Sequence, residues 1–484
     1  AQLMTVLSRA RVGIEDVVAV ARGDKVAIAR AAESTILQSR SVVDRVIAEG
    51  TPVYGLNTEL GAGRNILLDP AGIEAFQRRT IRNSDGGVGE PLPDEQVRAI
   101  LFTRLVGFTR GGSGVRLELA EHYRELLNRA VAPVVPRTGS VGASDLTHLA
   151  AIAAVAIGSG TAFVDGSRVP GAEALAAAGL EPIVLQAHEG LAAISANAYS
   201  VGVGALLLHE LRAVADAADA AVALSLRALA GHSDGGNPSP FSQEIQAAHP
   251  SAGQSLSAAG IRSLFGENEA ASVQDPVSFR AAPQVNGALR DALARAESSV
   301  ELELNSRTDN PLVDIESGRM ISGGNFQAVG LALSLETVRI ALGHVAATSE
   351  RRLARLSSVS VGLRRAGRLQ MPGLSWYSAA AIVAEIRQLA NPISLSGTSL
   401  SEEVEDHSSN AAAAVQLLER SVALTRTVLA IEAITAAELV TLGSTQDAGA
   451  LEPLVAELAS VLSLPDSTAD RVAQAERILL GRVR

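Results

Sequence analysis

The sequence contains no cysteine, so neither a disulfide framework nor a thiolate metal site is open to it. Aromatic residues are scarce as well, at 3% of 484 residues, although 47% are apolar. The apolar content is carried by Ala, Leu and Val, which suit closely packed helices. Positive charge is in deficit: 41 Lys and Arg stand against 52 Asp and Glu, a formal net charge of -11. A surface of that sign does not offset phosphate charge, which argues against a nucleic-acid or anionic-membrane partner and favours a small-molecule ligand. No stretch approaches roughly 18 apolar residues without a charge or a Gly/Pro break. The run 201–208 is followed closely by Glu210 and Arg212 and reads as a buried helix. Residues 1–50 carry charges throughout, with no apolar run and cleavage signal, so no signal peptide is expected and the cytoplasm is the default compartment. The 8 histidines show no paired spacing such as His-Glu-x-x-His. His148, and His407 beside Asp406, therefore read as core or surface residues, and no metal is expected. The segment 231–236 has the glycines of a phosphate loop but lacks its Lys and its strand-to-helix setting.

What is present is helical periodicity, interrupted in places that matter. Residues 17–47 mix apolar and charged positions at helical spacing and stop at Gly50-Thr51-Pro52, which predicts a small helical layer. From 54 to 65 the pattern fails; Gly55, Asn57, Gly61 and Gly63 are turn formers, and the stretch reads as a loop able to cover a site. Periodicity resumes over 71–82, breaks at Asp85-Gly86-Gly87 and returns over 94–105. Long helices are expected over 192–230, 285–304 and 326–356, with another over 410–442. Helices of that length pack side by side as a bundle, with the irregular segments 231–240 and 306–324 at its ends. The expected organisation is an N-terminal loop-bearing region, 1–185, followed by a long-helix bundle region, 186–484.

The densest local signal is Thr138-Gly139-Ser140-Val141-Gly142-Ala143-Ser144-Asp145-Leu146. Small residues packed before a helix allow a tight backbone turn, and free amides at the helix start favour negative charge. Alone, the segment is equally a plain loop in which Ser144 or Asp145 caps the helix.

Further blocks stand in a telling order: Tyr54-Gly55-Leu56-Asn57-Thr58, Gly87-Val88-Gly89-Glu90-Pro91, Glu189-Gly190-Leu191-Ala192, Gln274-Asp275-Pro276 with Ser278 and Arg280, Pro283-Gln284-Val285, Asp309-Asn310-Pro311-Leu312-Val313, Gly323-Gly324-Asn325-Phe326, Ser349-Glu350-Arg351-Arg352 and Glu405-Asp406-His407. Together with the Gly-Ser-Val-Gly-Ala-Ser segment, the chain resembles the histidine, phenylalanine and tyrosine ammonia-lyase superfamily along nearly its whole length, closest in pattern to the histidine-specific members. The resemblance implies a mainly α fold, a long-helix bundle of the ammonia-lyase (fumarase/aspartase-like) type with an N-terminal loop-bearing region. It implies a homotetramer whose active sites draw residues from several chains. It also implies elimination of ammonia from an aromatic or polar α-amino acid, histidine-like in the first instance, through a self-generated 4-methylidene-imidazol-5-one electrophile made from Ala-Ser-Gly. An aminomutase on the same scaffold, or a repurposed paralogue without the electrophile, are the alternatives.

The chemistry accounts for the residue types. An electrophile makes the amine a leaving group, and a positioned base removes the unacidic β-proton. By resemblance, Ala143, Ser144 and Asp145 occupy the electrophile segment, Tyr54 is the base on a mobile loop, and Arg280 pairs with the substrate carboxylate through its planar fork. Asn83, Ser84, Ser195, Gln274, Phe326 and Glu405 are the further substrate-binding positions that the resemblance implies.

The departures from the family pattern lie at the same site. Ser144 is followed directly by Asp145, without the glycine whose amide closes the ring. Either a modified tripeptide stands behind these letters, or the chain lacks the glycine and cyclises through Asp145 or not at all. The lid continues as Thr58-Glu59-Leu60-Gly61 where the family has Thr-Gly-Phe-Gly. Ser195 stands for an expected Asn, Val277 for an aromatic residue, and Glu403-Val404 for Asn-Gln. Asn83-Ser84, followed by Asp85, holds the substrate-selecting place. Glu405 matches the acid that histidine-specific members direct at the imidazole, and a carboxylate there favours a side chain with a donor or positive charge.

Overall fold

Ala- and Leu-rich periodic stretches with few β-branched runs form helices here, and the longest are Ala198–His232, Ala282–Leu304, Val329–Val359 and Ala411–Thr441. The computed structural model describes residues 3–266, 272–443 and 448–481. Three of the long helices lie where periodicity places them, with ends shifted by a few residues. The fourth differs from expectation. Instead of one helix over 192–230, a short helix Glu189–Ile194 ends, the chain turns through Ser195, Ala196 and Asn197, and the long helix begins at Ala198. Two tertiary hydrogen bonds hold the break open: the Ala196 carbonyl accepts from Asp145 N at 2.8 Å, and Asn197 Nδ2 donates to the Phe326 carbonyl at 2.7 Å. Apolar periodicity does not register such a break, because Ala and Ile continue through it.

The expected N-terminal helical layer also carries a strand. Helices Ile14–Ala21 and Arg30–Glu49 flank Lys25–Ile28, which pairs in parallel with Met4–Leu7. The second of these helices stops where Gly50 enters the left-handed region at φ 70°.

The chain forms two compact units, each discontinuous in sequence. One comprises Ala1–His209, Glu297–Leu333 and Pro392–Val415; the other comprises Glu210–Ala296, Ser334–Asn391 and Gln416–Arg484. Each long helix contributes residues to both.

In the first unit, helix Asp94–Thr109 is buried on nearly every side and packs against Ile14–Ala21 and Leu117–Asn128. It carries Arg104, whose fully buried guanidinium pairs with Asp309 at 2.7 Å and donates to the Ala192 carbonyl at 3.0 Å. Ser113 Oγ donates to the same aspartate at 3.0 Å. In the second unit, Glu432 is fully buried and accepts from Ser225, Ser349 and Arg352, which ties three long helices together through one carboxylate. Asp219 there accepts from Asn286 at 2.9 Å and Arg290 at 2.7 Å.

The stretch Glu189–His232 and the helix Val329–Val359 are long and apolar enough to cross a membrane by composition alone. Their most apolar windows are 94% and 61% buried within the protein, as expected of core helices.

Removing one partner of a buried ion pair leaves the other charge uncompensated, so Asp309→Ala is expected to cost about 3–5 kcal/mol of stability. Denaturant unfolding measures this, and an unchanged midpoint would show that Arg104 finds other compensation.

Candidate active site

A cavity of about 700 Å3 opens in the first unit, and every residue lining it belongs to that unit. One wall is a helix face. Asp69 caps helix Pro70–Ser84 by accepting from Gly72 N, and Phe76, Arg79, Thr80 and Asn83 then follow at three- and four-residue spacing, so they share one side. Ser84 completes this wall at the helix end. Other elements supply Leu191, Ile194 and Ser195 from the helix break, and Asn310, Ser322, Gly323 and Phe326 around the hairpin of strands Leu312–Asp314 and Arg319–Ile321. Gly323 N donates to Asn310 Oδ1 at 3.0 Å, which joins the two ends of that hairpin at the cavity.

Tyr54 sits on the turn-rich loop that the sequence predicts. Gly55 has φ 71°, and a Cβ there would lie 2.2 Å from Leu191 Cδ2, so only glycine brings the loop this close. The Tyr54 hydroxyl accepts from Gly61 N at 3.1 Å. The next amide, Ala62 N, donates to Ser401 Oγ at 3.2 Å. Ser401, Glu402 and Glu403 all have left-handed backbone, with φ 52°, 52° and 66°. They form a tight turn closed by paired bonds between Leu400 and Glu405 at 2.9 and 3.1 Å. Three consecutive non-glycine residues in that region cost roughly 1 kcal/mol or more each, and the surrounding contacts must sustain them. The turn delivers Val404 and Glu405 to the cavity.

Burial raises the Tyr54 phenol above its ordinary value; the Gly61 amide works against this, the nearby Glu405 charge adds to it, and Arg64 opposes it.

The loop before helix Leu146–Ala156 brings Ala143, Ser144 and Leu146 to the cavity. Gly142 has φ 84°, and a Cβ there would meet Ser409 Oγ at 2.2 Å. Ser144 is itself left-handed at φ 63°. Asp145 lies behind the lining and is fully buried. It occupies the N-cap position of helix Leu146–Ala156, yet its side chain does not cap that helix. Its carboxylate instead accepts from Ser140 Oγ at 2.5 Å and Ser200 N at 2.8 Å, the latter in the first turn of Ala198–His232. A buried carboxylate at a helix N-terminus is stabilised by free amides and the helix dipole. His148 follows a turn later. Burial lowers its pKa although Asp145 raises it, its Nε2 contacts the Arg137 carbonyl at 2.8 Å, and its ring stacks on Tyr199 at 4.3 Å.

Tyr54, Asn83, Ser84, Ala143, Ser144, Ser195, Phe326 and Glu405 thus line one cavity. Asp145 supports the lining from behind. Gln274 and Arg280 belong to the second unit and are not among the lining residues; Arg280 Nε donates to the Asp275 carbonyl at 3.1 Å. Asp85 and Glu403 do not line the cavity, and Val277 lies in the second unit. Glu405 is exposed, so its charge is partly screened by solvent. Sequence reasoning missed Glu59, Arg64, Arg79 and Asn310 as lining residues. Helical spacing from Asn83 back to Arg79 and Phe76 was a usable signal, whereas Arg64 on an irregular loop had none. Arg79 lies 3.5 Å from Glu59, so these two charges largely offset each other. No cluster of His, Asp and Glu able to hold a metal occurs among the described residues.

The residues present do not fit the methylidene-imidazolone. Ring closure needs the amide nitrogen after the serine to attack the alanine carbonyl. That nitrogen belongs to Asp145, and its hydrogen is given to the Ala196 carbonyl at 2.8 Å. Attack would require that amide to leave the Ala196 carbonyl, in a residue whose fully buried carboxylate is also tied to Ser140 and Ser200. Ala143 is also held on its other side by a backbone bridge to Gln327.

The family model for aromatic amino acid lyases matches residues 12–460, and the chain belongs to that family. Among its relatives is a histidine ammonia-lyase of Stigmatella aurantiaca, 40% identical over an alignment of 441 residues, which covers 88% of this chain and 85% of the relative. Two solved structures resemble the fold across 99% of both chains. One is the ergothioneine-degrading enzyme ergothionase of Treponema denticola, in complex with desmethyl-ergothioneine sulfonic acid, at 27% identity and TM-score 0.91. The other is a phenylalanine aminomutase of Pantoea agglomerans, at 25% identity and TM-score 0.92.

Because the Glu405 charge raises the Tyr54 phenol and Arg64 lowers it, Glu405→Gln is expected to move Tyr54 ionisation to lower pH and Arg64→Gln to higher pH. Tyrosine-labelled NMR titration reads both; shifts in the opposite directions, or none, contradict this account of the site.

Proposed function

We propose that this chain is a carbon–nitrogen lyase that removes the amine from an α-amino acid or a close derivative by β-elimination. The observation that carries the reading is the convergence of the Tyr54 phenol, the Glu405 carboxylate, the Asn83-Ser84 helix end and the Ser144 loop on one cavity of substrate size. The family, and the 40% identity to a protein named histidine ammonia-lyase, support it. Tyr54 is the base. As a phenolate it takes the β-proton, the C–H electrons form the new double bond, and the C–N bond electrons leave with the amine. Since burial and Glu405 hold the phenol above its ordinary value, the phenolate fraction rises with pH, and turnover should climb through the alkaline range.

Glu405 gives the pocket a preference for a polar or basic side chain, histidine-like in the first instance, over plain phenylalanine. Its exposure keeps that preference moderate. A mutase outcome, return of the amine to the β-carbon, has the likeness to the aminomutase fold in its favour. Product analysis separates the two: an unsaturated acid and free amine, or a β-amino acid. We further propose a homotetramer in which Arg280 and Gln274 of a neighbouring copy complete the site, since neither lines the cavity of its own chain. Light scattering should give the mass of four chains.

Tyr54→Phe is expected to retain fold and assembly and to lower turnover at least about a hundredfold, the scale of losing general-base catalysis. Wild-type turnover in that variant removes Tyr54 from the role. Preference for phenylalanine, unchanged in Glu405→Gln, removes Glu405 from the selection of substrate.

A further inference from the structure

We infer that Ala143-Ser144-Asp145 remains an ordinary peptide and that the site takes an amino acid whose α-nitrogen is already quaternary, a trialkylammonium betaine with a polar or heteroaromatic side chain. This rests on the carbon–nitrogen lyase reading and deepens it. The first half follows from the loop. The Asp145 amide is committed to the Ala196 carbonyl at 2.8 Å, and the carboxylate of the same residue is fully buried between Ser140 Oγ and Ser200 N. Ring closure onto the Ala143 carbonyl would need the Asp145 amide to give up its bond to Ala196, and the residue lacks the freedom of the glycine that closes the ring in the family pattern.

The second half follows from the chemistry such a cavity can then perform. An ordinary amino acid carries a primary ammonium whose N–H protons are far more acidic than its β C–H. A base placed against it takes an N–H proton and leaves a neutral amine, which does not depart. An electrophile that captures the nitrogen evades this, but this chain's loop does not supply one. A quaternary nitrogen evades it too, for it has no proton to lose and keeps its positive charge whatever the base does. Proton removal from Cβ then drives the C–H electrons into the Cα–Cβ bond, and the C–N pair leaves with a neutral tertiary amine. The balance closes on the substrate alone: one betaine gives one unsaturated acid, one trialkylamine and one proton held by Tyr54, with no oxidant, reductant or water consumed.

The lining suits a permanent cation. Tyr54, Phe76 and Phe326 contribute aromatic side chains to the lining and Glu405 a carboxylate, groups of the kind that attract a quaternary ammonium. The positive charge of Arg79 is offset by Glu59 at 3.5 Å, and Arg64, on the loop that carries Tyr54, is the lining cation that pairs with the carboxylate end of the betaine.

The test uses the full-length purified chain. Its intact mass is measured first, and the chain is then incubated with histidine, phenylalanine and their Nα-trimethyl betaines while ammonia, trimethylamine and the unsaturated acids are quantified. The expected result is an unmodified mass and trimethylamine release from the histidine betaine, with ammonia release from free histidine at least about a hundredfold slower, the scale on which one missing catalytic device shows in rates. A mass about 36 Da lower, the loss of two waters on ring formation, overturns the inference. Ammonia release from a free amino acid that matches or exceeds amine release from its betaine also overturns it, while leaving the lyase reading intact. Release of no amine from any of the four compounds overturns the lyase reading and the inference with it.

Discussion

The buried carboxylate of Asp145 is the constraint on which the site depends. A charge with no exposure persists only where donors replace its water, and here those donors come from two separate parts of the chain: Ser140 within the loop and Ser200 in the first turn of the longest helix. Its backbone amide adds a third tie, to the carbonyl of Ala196 at the helix break. The loop is pinned on its other flank as well, since Ser409 Oγ donates to the Gly142 carbonyl at 2.8 Å and Asn410 N donates to that of Val141 at 2.9 Å. Ala143 and Ser144 are thereby presented to the cavity from a support that does not yield easily. The break between Glu189–Ile194 and Ala198–His232, which exposes Ser195 to the cavity, is part of the same arrangement.

The opposite wall is built on a different principle. Tyr54 and Glu405 ride on irregular backbone, and their two segments are tied together: Gly61 N bonds the Tyr54 hydroxyl within its own loop, and the following amide bonds Ser401, whose left-handed turn ends at Glu405. Segments of this kind open at lower free energy than a core helix. Displacing the 401–405 turn removes both the Glu405 charge and the anchor of the Tyr54 loop, so position and ionisation of the base are governed together.

The helical skeleton was legible in the sequence because its signals are local. Ala/Leu periodicity located the long helices, and Gly50, Asp85 and the glycines of 54–65 located the interruptions. The family resemblance carried by the motif blocks implied Tyr54, Asn83, Ser84, Ser144, Ser195, Phe326 and Glu405, which line one cavity, and with them Gln274 and Arg280, which do not line it. What stayed hidden depends on contacts between distant residues. The strand Lys25–Ile28 pairs with a segment some twenty residues earlier, the helix break at Ser195 is held by Asp145, and Arg79 joins the cavity through a helix face whose orientation comes from packing. Asp145 itself reads as an N-cap in sequence, and only its partners reveal that it serves the start of another helix.

Two features of the cavity that look like defects in isolation are consistent with each other. Relative to the family pattern, the loop lacks a glycine and holds its would-be nucleophile in a hydrogen bond, and the base is held above its ordinary pKa by burial and by Glu405. An enzyme acting on a primary amine would be doubly handicapped, with nothing to capture the nitrogen and little phenolate to take the proton. A fixed positive charge entering beside Glu405 answers both difficulties. It supplies the leaving group without any protein-made electrophile, and it offsets the acidic charge that raises the Tyr54 phenol, so that the phenolate becomes easier to form when the substrate is present than when the cavity is empty. In such a site the substrate's own charge prepares the base that acts on it, and Glu405 has a use beyond recognition: it attracts the cation whose arrival relieves the effect of Glu405 on Tyr54.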